Sequence, residues 1–211
     1  MPGSEKTVVV TGGAGRIGKA IAARLAKDGW RVVVTSSRRG AGADAVADLS
    51  VDGGADRLFA AVLEITGGKA PYALVNNAGL FSGPGAAIEN VNLIAPVRLT
   101  ELMSDREGTG AVVNILDRDF PANCRASSKD FASAYARSKS LLARRTLEDA
   151  RKYLGVLRVN GVAPGPVFPP PCGGVKASYA PFGRPTAEQV ADAVAYLLSA
   201  PTVSAAIIPV G

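Results

Sequence analysis

The segment TGGAGRIG at residues 11–18 constrains the fold most, because it joins a short β-branched run to an amphipathic helical pattern. The run Thr7 to Val10 predicts a buried strand, and apolar residues recur at helical spacing from Ile17 to Leu25. The glycines that match the spacing G-x-G-x-x-G are Gly13, Gly15 and Gly18. Such a loop brings backbone N–H groups and the positive end of a helix dipole to the pyrophosphate of a dinucleotide. The segment therefore predicts phosphate binding, with a purely structural turn as the alternative.

The remaining chain alternates predicted strands with predicted helices. Strands are expected at residues 31–34, 45–49, 73–75, 111–116, 156–162 and 205–210. Helices are expected at residues 58–65, 91–103, 131–153 and 187–198, with little room for one between the second and third strands. This order predicts an α/β fold with a doubly wound parallel sheet, in a single domain over residues 1–211. A Pro- and Gly-rich stretch after the sixth strand predicts a substrate loop at about residues 166–186.

Composition argues against several function classes. The 211 residues include no histidine, and Cys124 and Cys172 lack CxxC spacing, so neither a metal site nor a His-based triad is expected. No apolar run approaches the ~20 residues that span a bilayer, and the first residues leave no room for a signal peptide. A cytoplasmic protein with no membrane partner is therefore expected. The net charge of +6 suits either nucleic acid or an anionic small ligand, and charge alone does not choose between them. Because only 6% of residues are aromatic and there is no basic-aromatic tract, no nucleic-acid partner is expected.

The end of the second predicted strand reads Thr35-Ser36-Ser37-Arg38-Arg39 and contains no acid. In folds of this type that bind NAD, an Asp or Glu at this place normally takes the ribose 2′-hydroxyl. Two guanidiniums and neighbouring hydroxyls suit a 2′-phosphate instead, because arginine offers fork-shaped donors to a dianion. The strand end therefore predicts NADPH as cofactor, with a solvated basic loop as the alternative.

Tyr135 and Lys139 lie four residues apart on the long predicted helix and so share one face. An ammonium group beside a phenol stabilises the phenolate, which suits a tyrosine for general acid-base chemistry. Other polar groups follow successive strands: Asn76-Asn77-Ala78-Gly79, Asn92, Asn114-Ile115-Leu116-Asp117 and Pro164-Gly165. Because the carboxyl ends of parallel strands meet at one edge of the sheet, these groups predict a ligand site there.

In this order, TGGAGRIG, Asn76 to Gly79, Asn92, Tyr135-x-x-x-Lys139 and Pro164-Gly165 resemble the short-chain dehydrogenase/reductase family over essentially the whole chain. The resemblance implies a Rossmann-type subunit, a nicotinamide cofactor, and a tyrosine that gives or takes a proton while a hydride moves. It implies that Tyr135 is the acid and that Lys139 holds the nicotinamide ribose and tunes Tyr135. It further implies that Asn92 supports a proton-relay water.

The resemblance also implies a set of cofactor contacts and an assembly. The implied contacts are Gly12, Gly13, Gly15, Arg16, Ile17, Gly18, Ser37, Arg38, Arg39, Asp48, Leu49, Asn77, Ala78, Gly79, Tyr135, Lys139, Pro164, Gly165 and Val167. Relatives usually pair the helices that carry Asn92 and Tyr135. A homodimer or homotetramer is therefore implied.

Two positions depart from the family pattern. Asp117 stands in place of the catalytic serine, and Arg16 stands where the compact branch usually has glycine. Both departures resemble the pteridine reductase and dihydromonapterin reductase group, and Phe81 matches the aromatic residue on which those enzymes stack the pterin. The implied substrate residues are Arg16, Phe81, Asp117 and Tyr135. A carboxylic acid suits reduction of a ring C=N bond, because it can relay a proton to nitrogen. The alternatives are a turn-forming Asp117 and a Phe81 that only packs.

These features lead to one expected function and two alternatives. The expected function is NADPH-dependent reduction of a C=N or C=O bond in a planar ring, with pterins favoured. A ketoreductase acting on 3-oxoacyl or polyketide-like ketones keeps the same catalysis. A catalytically weak NADP-binding sensor or partner protein is the alternative of a different class. The 18 residues that separate Asp117 from Tyr135 also predict a bulge over residues 119–130 near the pocket.

Overall fold

The computed structural model describes residues 6–105, 108–118, 134–167 and 183–211. These residues form a seven-stranded sheet in which every pair of neighbouring strands is parallel. The strands are β1 (Thr7–Val10), β2 (Arg31–Ser36), β3 (Ala45–Val46), β4 (Ala73–Asn76), β5 (Gly110–Ile115), β6 (Leu157–Pro164) and β7 (Ile207–Val210). Their spatial order is β3-β2-β1-β4-β5-β6-β7. The predicted α/β class with a doubly wound parallel sheet is confirmed, and the order reverses between β1 and β4.

Helices cover both faces of the sheet. They are α1 (Arg16–Lys27), α2 (Gly54–Ile65), α3 (Gly85–Glu89), α4 (Ala95–Ser104), α5 (Ala134–Lys152) and α6 (Ala187–Ser199), and one π-helical turn (Asn90–Ile94) joins α3 to α4. Val8 and Val10 of β1 pack in the core cluster that contains residues of α1 and α6, whereas Val9 packs in the cluster on the opposite face. Successive side chains of a strand point to opposite faces, so a strand covered on both sides has a continuous apolar sequence.

Several predicted strand boundaries are wrong by two or three residues. β2 extends to Ser36 rather than residue 34, and β6 extends to Pro164 rather than residue 162. β3 ends at Val46 rather than at residue 49, because the backbone N–H of Ser50 donates to Asp48 Oδ1 at 2.8 Å and turns the chain. β7 begins at Ile207 rather than at residue 205, because Ala205 has a φ of 61°, outside the extended region.

The predicted helix over residues 91–103 is also wrong in its first turn. The chain is π-helical over Asn90–Ile94, and α4 begins only at Ala95. Pro96 has no N–H to donate to the carbonyl of Asn92, and its ring would crowd that carbonyl in an α-helix. The turn therefore widens, and the N–H of Ala95 donates to the carbonyl of Asn90, five residues back.

Several predicted features lie outside the described residues. They are the helix start at 131–133, the bulge at 119–130, Cys124, Cys172 and residues 168–182 of the substrate loop. In the part of the chain that the structure describes, no helix combines the length and apolar character needed to cross a membrane. The same described ranges hold no group of three or more His, Cys, Asp or Glu side chains arranged to bind a metal ion.

Candidate active site

The loop after β1 is fastened to the segment after β4 by hydrogen bonds. Thr11 Oγ1 accepts the backbone N–H groups of Asn77 and Ala78, each at 3.0 Å. In return, Asn77 Nδ2 donates to the carbonyls of Thr11 at 2.9 Å and Gly12 at 3.2 Å. Gly12 has a φ of 61°, a left-handed conformation that glycine adopts at little cost. These bonds hold the predicted phosphate loop rigidly at the point where the strand order reverses, which is where open α/β sheets bind ligands.

The same loop leaves room for an anion. A Cβ at Gly18 would lie 2.4 Å from the carbonyl oxygen of Gly12, so glycine lets α1 begin against the loop. At Gly15, the N-cap of α1, a Cβ would meet nothing closer than 3.5 Å. Among the described residues, no side chain caps this end of α1, and its first turn contains no acid. The helix therefore presents N–H groups and the positive end of its dipole to solvent.

A cleft of about 750 Å³ lies over this loop and contains most of the predicted cofactor contacts. The predicted residues that line it are Gly12, Gly15, Arg16, Ile17, Gly18, Ser37, Arg38, Asp48, Leu49, Asn77, Ala78 and Gly79. Thr35 and Ser36, from the end of β2, also line it. Five further lining residues were not predicted as contacts: Ala14, Ala47, Ser50, Leu80 and Val91. Val91 adjoins Asn92 in sequence, and each of the others adjoins a predicted cofactor contact, which is the signal that could have found them.

Seven predicted cofactor contacts are not in the lining of this cleft: Gly13, Arg39, Tyr135, Lys139, Pro164, Gly165 and Val167. Gly13 packs inward, since a Cβ there would lie 3.0 Å from the carbonyl oxygen of Val10. Gly165 lies against Arg118, whose guanidinium would be 2.8 Å from a Cβ. Val167 packs against the core cluster of α1 and α6.

The far end of the cleft is formed by the ends of β2 and β3. The N–H of Arg38 donates to Ser36 Oγ at 3.1 Å, which turns the chain after β2. Both residues line the cleft. Asp48 is the one acid among the described lining residues. Its Oδ1 accepts the hydroxyl of Ser50 at 2.6 Å as well as the backbone N–H, and these hydrogen bonds lower the pKa of the Asp48 carboxyl. This end of the cleft therefore combines a fixed carboxylate just after β3 with a cationic side chain just after β2.

Three predicted substrate residues meet at the carboxyl edge of the sheet. The Tyr135 hydroxyl donates to Asp117 Oδ2 at 2.9 Å, although 18 residues separate the two in sequence. The ring of Phe81 lies 4.9 Å from that of Tyr135, centroid to centroid, at a tilt of 58°. Phe81 is 79% exposed, so its ring is not a core residue. A carboxylate, a phenol and a solvent-facing aromatic ring thus share one small region.

Lys139 lies in a buried stripe on α5, at the opposite end from the buried Asp149, which pairs with Arg145. The stripe recurs every three or four residues and also contains Ser138, Leu142, Ala143 and Thr146. Lys139 Nζ donates to the carbonyl of Ile115 at 2.7 Å, two residues before Asp117. Burial lowers the pKa of Lys139 to about 8, an effect that the nearby Asp117 partly opposes. An ammonium with a lowered pKa beside a carboxylate and a phenol is typical of acid-base sites.

Asn92 uses its side chain to clamp the segment that precedes Phe81. Its Oδ1 accepts the N–H of Leu80 at 2.8 Å, and its Nδ2 donates to the carbonyl of Leu80 at 2.9 Å. Nδ2 also lies 3.2 Å from Ser138 Oγ, which itself donates to the carbonyl of Tyr135 at 2.8 Å. Asn92 therefore joins the Phe81 segment to the helix turn that carries Tyr135. Ser138 is a contributor to this site that no sequence motif identifies.

A buried hydrogen-bonded ladder lies beneath the site. Asn76 and Asn114 pair across β4 and β5, and Asn76 Nδ2 donates to Asn114 Oδ1 at 2.8 Å. Asn114 Nδ2 donates in turn to Thr146 Oγ1 at 2.9 Å, two helical turns beyond Lys139. The ladder sets β4, β5 and α5 in register, and these elements carry the groups described above. Its two asparagines are visible in sequence as strand-end residues, whereas Thr146 is found only from the structure.

Comparison with known proteins places these features in context. The family model of short chain dehydrogenases matches residues 6–78. The chain is similar to the 3-alpha-hydroxysteroid dehydrogenase from Pseudomonas sp. B-0831 complexed with NADH, at 25% identity and a TM-score of 0.81, covering 97% of this chain and 95% of that one. It is similar to FolM alternative dihydrofolate reductase 1 from Brucella canis complexed with NADP, at 27% identity and a TM-score of 0.76, covering 97% and 91%.

A third similar structure is a blue fluorescent protein from a metagenomic library in complex with NADPH, at 26% identity and a TM-score of 0.81, covering 97% of this chain and 96% of that one. The family match contains the phosphate loop and, after β4, Asn77 and Ala78. The structural likenesses cover 97% of this chain and so extend over α5 and β6 as well. The chain is thus similar to short chain dehydrogenases over residues 6–78 and to nicotinamide-binding structures over almost all of its length, and these findings indicate that the protein is an oxidoreductase.

Proposed function

We propose that the protein is an NADPH-dependent reductase that transfers a hydride to a C=N or C=O bond of a small planar ring, with pterins as the favoured class. The observation that carries this proposal is the meeting of Asp117, Tyr135 and Phe81 at the carboxyl edge of the sheet. A serine at position 117 could only hydrogen-bond, whereas a carboxyl group can also transfer a proton. Likeness to a dihydrofolate reductase of the FolM type supports the same substrate class.

The cofactor cleft fits a dinucleotide that carries a 2′-phosphate. The open amino end of α1 would hold the pyrophosphate, since it offers N–H donors beside Gly15 and no competing acid. Ser37 and Arg38 would hold the 2′-phosphate. Asn77 to Gly79 lead from the loop towards Lys139, because a Cβ at Gly79 would lie 3.8 Å from Lys139 Nζ. When bound, the reduced nicotinamide supplies the hydride.

The chain's own groups manage the proton. Tyr135 holds the transferable proton on its hydroxyl, where the hydrogen bond to Asp117 orients it. Asp117 provides a further proton-carrying group beside Tyr135, and hydride addition to a ring C=N bond needs one proton on nitrogen. Lys139 supplies positive charge next to both groups, and its bond to the carbonyl of Ile115 holds the ammonium in place. The exposed ring of Phe81 offers a stacking surface for a planar substrate.

A second candidate is a ketoreductase acting on 3-oxoacyl or polyketide-like ketones. It is favoured by the likeness to a 3-alpha-hydroxysteroid dehydrogenase, whose chain is covered over 95% of its length. A carbonyl substrate needs a hydrogen-bond donor on oxygen, which Tyr135 provides without help from Asp117. For both candidate functions we propose a small-molecule substrate and a location in the cytoplasm.

The test is oxidation of NADPH across a panel of dihydropterins, dihydrofolate, quinones and ketones, followed at equal protein concentration. Turnover of dihydropterins above all other compounds is the expected result. Turnover of ketones alone would replace the proposal by the ketoreductase. Tight NADPH binding without turnover of any compound would favour the sensor or partner role.

The proposed cofactor preference predicts the effect of Arg38→Ala. Loss of a charge-assisted contact to the 2′-phosphate is worth roughly 1.5 to 3 kcal/mol, so NADPH affinity should fall by about one to two decades. NADH affinity should stay nearly unchanged, because NADH has no 2′-phosphate. Calorimetric titration of both cofactors measures the difference.

Arg39→Ala is the matched control, since Arg39 adjoins Arg38 but is not in the cleft lining. It should weaken NADPH binding less than Arg38→Ala does. The cofactor assignment would be overturned if the unaltered protein bound NADH as tightly as NADPH.

A homodimer or homotetramer is also proposed, through a groove of about 680 Å³ between the start of α2, the π turn, α4 and α5. Apolar side chains face solvent in it: Val51 is 47% exposed, Ile94 52% and Leu141 37%. Positively and negatively charged side chains also line it, including Arg98 and Asp56, which form an ion pair at 2.7 Å. A face with apolar residues and both charges can pair with its own copy about a twofold axis.

Leu141→Arg should therefore reduce the assembly to a smaller species, because it places an unpaired charge among the exposed apolar side chains. Light scattering coupled to size-exclusion chromatography measures the mass. Leu154→Arg is the control, since Leu154 is 81% exposed and lies outside the groove lining. A monomeric mass for the unaltered protein at micromolar concentration would contradict this assembly.

A further inference from the structure

Asn90 makes a hydrogen bond that connects two parts of the site 40 residues apart in sequence. Its Nδ2 donates to the carbonyl of Ser50 at 2.8 Å, in a partly buried position. Ser50 lines the cofactor cleft after β3, whereas Asn90 is the first residue of the π turn that contains Asn92. The bond therefore joins a wall of the cleft to the turn that carries a predicted catalytic residue.

The wall on the Ser50 side is stiff. Asp48 Oδ1 accepts both the N–H and the hydroxyl of Ser50, at 2.8 and 2.6 Å. Gly54, the first residue of α2, packs so closely that a Cβ there would overlap the carbonyl oxygen of Asp48 and lie 3.1 Å from the Cα of Leu49. We call residues 48–50 the β3 wall. These contacts hold residues 48–50 together, so a ligand that displaces one of them should displace all three. Asn90 is hydrogen-bonded to Ser50 and should move with them.

The π turn connects Asn90 to the residues at the substrate end of the site. The carbonyl of Asn90 accepts the N–H of Ala95, so the backbone of Asn90 is held at the same time as its side chain. Two residues later, the fully buried side chain of Asn92 clamps both backbone polar groups of Leu80. Leu80 immediately precedes Phe81, whose ring lies against Tyr135.

These contacts form one continuous path from the β3 wall through Asn90, Asn92 and Leu80 to Phe81. The two ends of the path face different halves of the proposed cofactor. The β3 wall lies next to β2, whose end holds Ser37 and Arg38, and so faces the adenosine half. Leu80 and Phe81 lie by Tyr135, where the hydride is transferred.

We propose that Asn90 is a positioning residue that couples occupation of the adenosine end of the cleft to the order of the Leu80–Phe81 segment at the substrate end. The inference rests on the proposed NADPH function. Coupling of this kind travels through packed and hydrogen-bonded groups that share one rigid element, here the π turn. Because the path depends on one neutral hydrogen bond at Asn90, the expected coupling is about two- to tenfold.

Adenosine 2′,5′-bisphosphate occupies only the adenosine end, because it carries the adenosine half and the 2′-phosphate but no nicotinamide. Leu80 and Val91 also line the cleft, so comparison with the Asn90 variants separates the coupling from direct contact. Amide hydrogen exchange read by mass spectrometry reports the order of each segment. In the unaltered protein, the bisphosphate should slow exchange at the β3 wall and also, by about two- to tenfold, at Leu80 and in the π turn. In Asn90→Ala and in Asn90→Asp, which keeps the side-chain size but cannot donate to Ser50, the slowing should be confined to the wall.

Glu89→Gln is the matched control. Glu89 precedes Asn90 and pairs with Arg137 of α5 at 2.8 Å, so its change perturbs the same turn without removing the bond to Ser50. The Glu89 variant should transmit the effect as the unaltered protein does. A KM for the substrate that rises in the Asn90 variants, with kcat and the affinity for the bisphosphate nearly unchanged, is the second expected result.

The outcomes separate this inference from the function on which it rests. If the bisphosphate binds the unaltered protein but leaves exchange at Leu80 unchanged, the coupling is overturned and the cofactor assignment stands, and this measurement needs no variant to fold. Equal slowing at Leu80 in the Asn90 variants would also overturn it. Failure of the bisphosphate to bind the unaltered protein would overturn the NADPH proposal and this inference together.

Discussion

Tyr135→Phe is expected to abolish turnover while cofactor affinity stays nearly unchanged. The substitution removes the only proton that Tyr135 can transfer, together with the 2.9 Å hydrogen bond to Asp117, but keeps the ring that packs against Phe81. A positioned general acid contributes about two to four decades of rate, so the loss of kcat should be at least of that order. Stopped-flow measurement of hydride transfer and calorimetric titration of NADPH give the two quantities separately.

Lys139→Met is the comparison variant, because it removes the ammonium charge and leaves the Tyr135 hydroxyl proton in place. We propose that Lys139 holds the nicotinamide ribose as well as tuning Tyr135, so this variant should lose both turnover and cofactor affinity. Thermal unfolding of each variant checks that the fold persists. If Tyr135→Phe retained most of its rate with the physiological substrate, Tyr135 would not be the acid.

Asp117→Ser is expected to reduce pterin turnover by about two to four decades and to leave ketone turnover intact or improved. Reduction of a ring C=N bond requires a proton on nitrogen, which the Asp117 carboxyl can relay through its contact with Tyr135. A carbonyl substrate needs only a hydrogen-bond donor, and serine supplies one without the carboxylate's charge. The same variant therefore moves the two activities in different directions, and both are measured by NADPH oxidation.

Asp117→Asn is the control for charge and size, since an amide fills the same space but cannot transfer a proton. It should lose pterin turnover as Asp117→Ser does. Unchanged pterin turnover in both variants, or no pterin turnover in the unaltered protein, would refute the role of Asp117 and leave a reductase of another substrate.

The amino-acid sequence was sufficient for the parts of this protein that depend on local pattern. Continuous apolar runs predicted all seven described strands within a few residues, because a strand covered on both faces is apolar throughout. The glycine spacing of residues 11–18 predicted the phosphate loop, since only glycine fits where Gly18 meets Gly12. The four-residue spacing of Tyr135 and Lys139 placed them on one helical segment, which the structure confirms.

The contacts that join separate elements were not predictable in this way, because contacts between residues far apart in sequence leave no local signal. The bond between Asn90 and Ser50, and the ladder that reaches Thr146, connect residues 40 and 32 positions apart. The end of β3, by contrast, has a local cause: Ser50 donates to Asp48 Oδ1, two residues back, and the chain turns after Val46 although the predicted strand continues to Leu49. The residues that could carry the chemistry were thus recognisable from the sequence alone. Their assembly into one site was decided by the tertiary structure, since hydrogen bonds between elements, rather than propensities within them, set the distances.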